Sequence, residues 1–115
     1  MINIDPQEVY NRINDVGQEW VKTNAVASLL EESFKCELNT VMQENLSQGS
    51  KSMADAESKA RADQRIFDHI AEMVNARREA NENKVKYDAA KIWFDALRTQ
   101  ASTMRQELKS LPGTK

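Results

Sequence analysis

Interruptions are scarce in this chain: 115 residues hold three Gly and two Pro. β-Branched and aromatic side chains nowhere alternate with polar ones over a strand's length, which argues against any β-sheet. One cysteine, Cys36, rules out an intrachain disulfide and a thiol-rich metal site, and fits a reducing compartment. No apolar run exceeds four residues, far short of the roughly 20 that cross a bilayer. Nothing near Met1 has the apolar core of a secretory signal, so the expected location is the cytoplasm, away from membranes. The three glycines stand apart from one another, so no phosphate-cradling loop is present.

The chain is instead rich in helix formers, with 30% charged and 40% apolar residues. The expected fold is all-α, a single domain over residues 1–115. Asp5-Pro6-Gln7-Glu8 is a helix start: Asp5 caps, Pro6 takes the position where its missing N–H costs nothing, and Glu8 completes a capping box. Val9, Ile13, Val16, Trp20, Ala27, Leu30, Phe34, Leu38 and Val41 then recur on one face, predicting a first helix over about 6–47. Gly17 lies off this stripe and permits a bend; Thr23-Asn24 could cap a restart, but a continuous helix is expected. Ser47-Gln48-Gly49-Ser50 marks a turn over 47–51, with Gly49 suited to a left-handed helix end. Nothing afterwards stops a helix before Leu111-Pro112-Gly113. A long second helix over about 52–110 is predicted, with a short disordered tail at 111–115.

Within that helix Ile66, Met73, Ala80, Tyr87, Phe94, Ala101 and Leu108 lie seven apart, and all are apolar or aromatic. Three residues beyond each stand His69, Ala76, Asn83, Ala90, Leu97, Met104 and Leu111. Together they form the seam of a coiled coil with left-handed supercoiling. Ala76, Ala80 and Ala90 thin its middle and allow close helix approach, and Asn83 can fix register. Before Ile66 the phase slips, which predicts a stutter or bend between Ala60 and Ile66. Folded back antiparallel, the first helix covers much of the seam. Phe67, Val74, Val85, Ile92 and Trp93 remain outside it, so a helical homo-oligomer is expected. Trp20, Phe67, Ile92 and Trp93 are the candidate interface anchors, and Met42, Met53, Met73 and Met104 the gap fillers.

Charge is uneven: residues 1–47 carry eight acids and three bases, residues 51–115 thirteen bases and ten acids. Arg77, Lys84, Lys91, Arg98 and Arg105 fall in one column seven residues apart, a rise of about 10.5 Å per step. Phosphates along a strand lie roughly 6–7 Å apart, so this column is a candidate contact for every second phosphate. Tyr87, Trp93 and Phe94 would offer stacking surfaces. The competing reading is that the acidic first helix neutralises the column.

Catalytic chemistry finds no support. His69, the sole histidine, has Asp68 and Glu72 beside it, but a di-metal helical site needs that pairing twice; a hydrogen-bonded core histidine is expected. Cys36 has no histidine within a helical turn to activate it. Neither an enzyme, a cofactor, a metal nor a small-molecule substrate is expected.

Ser58-Lys59-Ala60-Arg61-Ala62-Asp63, Tyr87-Asp88-Ala89-Ala90, Leu97 and Met104, with Trp20 on the first helix, carry a resemblance. Over residues 50–110 the chain resembles small helical bacteriophage recombination-accessory proteins, in particular recombination mediators of the UvsY type. The resemblance implies a viral, oligomeric protein of the host cytoplasm that binds single-stranded DNA and assists a recombination or annealing protein. A net charge of −2 departs from the basic surface of that group. The alternative is a structural or adaptor coiled coil that binds only proteins.

Overall fold

The computed structural model describes residues 5–110. They form three helices, α1 (Pro6–Ser47), α2 (Met53–Arg61) and α3 (Gln64–Ser110), in an elongated antiparallel hairpin of 91 × 21 × 15 Å. The fold is the all-α hairpin that the apolar periodicity predicts. The proposed disordered tail at 111–115, and Leu111 in the seam, lie outside the described residues.

Local chemistry sets each boundary. Asp5 Oδ1 accepts the Gln7 N–H at 2.9 Å, satisfying an orphan donor of the first turn of α1. At the other end Gly49 takes a φ of 102°. The Gly49 and Ser50 amides then donate back to the Leu46 and Asn45 carbonyls, at 3.2 and 3.0 Å. Ser52 caps α2 by accepting the Asp55 N–H at 3.1 Å. Thr23-Asn24 starts no new helix: α1 is continuous, and the Thr23 hydroxyl donates to the Glu19 carbonyl at 2.8 Å.

The single second helix expected over 52–110 is two helices. The Ala62 and Asp63 amides turn back to the Lys59 and Ala60 carbonyls, closing α2 in a tight turn. Asp63 then opens α3, its Oδ1 accepting the Arg65 N–H at 2.8 Å. The phase slip before Ile66 is the sequence trace of this corner. Bending there lays α2 against the end of α1, where Ala56 and Ala60 are fully buried and Asn45 Nδ2 donates to the Ala56 carbonyl at 3.1 Å.

Val41, Ala60 and Ile66 form the core at this closed end, flanked by Phe34, Leu38, Met42 and Ile70. Beyond it the two long helices meet through small residues, with Ala27 and Ala80 fully buried and Val9 and Ala90 nearly so. Of eight buried apolar residues among those described, five are alanines. The core is therefore a thin line of contact along the rod. In the predicted seam Met73, Tyr87, Phe94 and Leu97 are half-buried, whereas Ala101, Met104 and Leu108 are exposed. The cause is length: antiparallel pairing from Arg65–Glu44 to Tyr87–Trp20 brings α1 to its first turn near Leu97. The remaining turns of α3 overhang it. Met104 on this overhang and Met53 at the start of α2 fill no gap; both are exposed.

Gly17 corrects another expectation. It is half-buried at the interface, and a Cβ there would sit 3.0 Å from Tyr87 Cε1. Gly17→Ala gains about 1 kcal/mol of helix propensity and loses part of it by displacing the Tyr87 ring. The net change in urea-unfolding stability is expected to be small. In a Tyr87→Ala background the same substitution should deliver its full gain, and an equal effect in both backgrounds would refute the contact.

Candidate partner and nucleic-acid interface

Polar contacts fix how the helices meet, and so decide which charges stay available. Arg65 reaches from α3 to α1, its Nη2 donating to Glu44 Oε2 at 2.6 Å, while Nε donates to Asp63 at 3.2 Å. The His69 ring donates from Nε2 to the Leu30 carbonyl at 2.8 Å and lies 5.7 Å from the Phe34 ring. A carbonyl only accepts, so this contact places a proton on Nε2. Asn83 Nδ2 donates to Thr23 Oγ1 at 3.2 Å, giving the seam asparagine a partner across the hairpin. Among the described residues no three His, Cys, Asp or Glu side chains gather as a metal-binding group.

Arg77, the head of the cation column, is engaged by α1. Nε donates to Glu31 Oε2 at 3.0 Å, Nη1 to Asn24 Oδ1 at 2.8 Å, and Nη2 to the second Glu31 oxygen and Ser28. Hydrogen bonding from Arg77 holds the Glu31 carboxyl below its ordinary value, and Arg65 does the same to Glu44 and Asp63. A carboxylate with a depressed folded pKa stabilises the fold in full above its ordinary value, 4.5 for glutamate. That contribution disappears as pH falls through the lower folded value. The urea midpoint should therefore drop on acidification below that point. Glu31→Gln with Glu44→Gln should flatten the drop; an unchanged acid profile in the double variant would refute these pairs as its source.

The rest of the column is arranged differently. Lys84 Nζ lies 5.9 Å from the Trp20 ring centre, Lys91 Nζ 4.6 Å from Tyr87, and the Arg98 guanidinium 5.8 Å from Phe94. Trp20 and Tyr87 stack with centroids 5.7 Å apart and planes 17° from parallel. Three cations thus rest against an aromatic ridge along the seam. Lys91 also pairs with Asp88 of its own helix at 3.6 Å. Among the described residues no α1 carboxylate forms an ion pair with Lys84, Lys91, Arg98 or Arg105. Neutralisation by α1 is therefore confined to Arg77 within the column. Tyr87 lies between Trp20 and Lys91 and Phe94 has Arg98 over it, so neither ring is an open stacking platform. Trp93, 43% exposed, is the open aromatic of that trio.

The proposed anchors divide. Trp20 is half-buried inside the hairpin against Tyr87, whereas Phe67, Ile92 and Trp93 are exposed. Phe67, Val74, Val85 and Ile92 line the face of α3 turned away from α1, with 55–69% of each exposed. A second apolar surface went unread in the sequence: a shallow groove around Gly17, bordered by Tyr10, Ile13, Trp20, Val21 and Tyr87. Its signal was the side-chain-free position one turn before Trp20-Val21. No helix among the described residues is long and apolar enough to cross a membrane. Compared with known proteins, the chain matches no family model, no curated protein and no solved structure.

Proposed function

We propose that this protein is a non-enzymatic helical assembly protein that acts by presenting apolar helix faces to other helices, beginning with copies of itself. One observation carries the reading: α3, already covered on one side by α1, exposes Phe67, Val74, Val85 and Ile92 on the other. A lone 13.1 kDa rod would leave a long apolar face in water, which favours association. Sedimentation of the full chain at micromolar concentration should give a multiple of the single-chain mass. A strictly monomeric protein would overturn this reading.

A second reading is favoured by Lys84, Lys91, Arg98 and Arg105, which α1 leaves without ion pairs, and it accords with the resemblance to recombination mediators. In it the assembled protein holds single-stranded DNA along these cations and brings a recombination or annealing protein to it. Fluorescence anisotropy with labelled single-stranded DNA should then show binding that weakens steeply with salt. It should fall when the four cations are replaced by Gln. Absent or salt-insensitive binding leaves the protein-only role.

A further inference from the structure

We infer that a second copy of this chain docks antiparallel on the outer face of α3, about a two-fold axis crossing that face between Arg78 and Glu82. The inference deepens the assembly reading above and rests on it. Phe67, Ala71, Val74, Arg78, Glu82, Val85, Ala89, Ile92 and Ala96 follow one another at steps of three or four. Their mean step is about 3.6 residues, that of an ordinary straight α-helix, so they form one continuous stripe. All nine are exposed.

The order along the stripe is nearly the same from either end. Turning a second α3 end for end sets Phe67 against the partner copy's Ile92, Ala71 against its Ala89, and Val74 against its Val85. Large apolar side chains meet large ones and small meet small. At the centre Arg78 meets the second copy's Glu82, and two-fold symmetry makes this pair twice. Neither residue forms an ion pair within the chain among the described residues; Arg78 has only a hydrogen bond to Asn75, at 3.2 Å. A parallel copy in register would instead set Arg78 against Arg78 and Glu82 against Glu82. Charge complementarity therefore selects both the occupant and its direction. α1 lies on the opposite side of α3, so the hairpin need not open.

The test exploits the doubled ion pair. Arg78→Glu makes the central pairs acid on acid, and Glu82→Arg makes them base on base. Each variant alone should self-associate about tenfold or more weakly in sedimentation equilibrium, with its helical circular dichroism kept. An equimolar mixture should regain wild-type association, because one chain then offers acids at both central positions and the other offers bases at both. An intrahelical effect of either substitution could not be repaired by mixing. As a second readout, Ala71→Cys and Ala89→Cys, each in a Cys36→Ser background, should cross-link to each other on mild oxidation and far less to themselves. Wild-type-like association of the single variants, or a mixture that stays weak, would overturn this register while leaving assembly itself standing. A monomeric wild type would overturn both.

Discussion

Ile66→Ala is expected to destabilise the hairpin by about 2–5 kcal/mol, the cost of deleting a large buried aliphatic side chain and leaving a cavity. Ile66 is fully buried against Val41 and Ala60, and with Val41 it is among the largest side chains to be fully buried. Most other buried positions are alanines, which have little volume with which to collapse into the space. A loss of this size is a large share of the stability of a small domain. Urea unfolding followed by helical circular dichroism measures it, at fixed protein concentration because association also shifts the midpoint. The adjacent Phe67 provides the contrast: it is 55% exposed, and Phe67→Ala should change association far more than the stability of a single hairpin. Comparable losses at the two positions would place Phe67 in the folded core and contradict the arrangement.

Ala80→Leu should destabilise the hairpin by about 1–3 kcal/mol through overpacking. Ala80 is fully buried where the two long helices are in contact, as is Ala27 on α1. Three added carbons there must separate the helices or force a strained rotamer. Leucine is a good helix former, so the loss cannot come from α3 itself. Ala101→Leu serves as the control, because the same change at an exposed position of the same helix, outside the outer stripe, should leave hairpin stability nearly unaltered. Equal effects at the two sites would remove close helix approach as the cause.

The parts of this structure legible in the sequence are those where one local signal acts alone. Asp5-Pro6 and Gly49 bound α1 because capping and left-handed geometry are decided within a few residues. The inner face of α3 follows a strict interval of seven from Ile66 to Phe94, and those positions are buried or half-buried as the periodicity requires. What escaped depends on two segments at once. The bend between Ala60 and Ile66 is legible in the phase slip, but not that it breaks the helix in two. Asp63 is a good cap, yet the helix formers around it also allow a merely bent helix, and packing Ala56 and Ala60 on α1 favours the corner. Gly17 reads locally as a weak point, and only the Tyr87 ring packed against it from α3 gives the missing side chain its reason. Ala101, Met104 and Leu108 keep the seam's rhythm, but α1 begins too late to cover them. For the candidate site, Arg77 and Arg98 stand in the same column by spacing alone. One is held by Glu31 and the other lies over Phe94, a difference that only the register between helices decides.

α3 also carries two rhythms that do not keep step. Its inner residues return every 3.5 positions, whereas the outer side chains follow intervals of seven, eleven and seven from Phe67 to Ile92. At about 20° of drift per heptad, the outer line has swung roughly 50° around the rod relative to the inner one between Phe67 and Val85. A straight neighbour following the outer line must lie oblique to α1, so the two hairpins of such a pair would cross at an angle rather than lie in one plane.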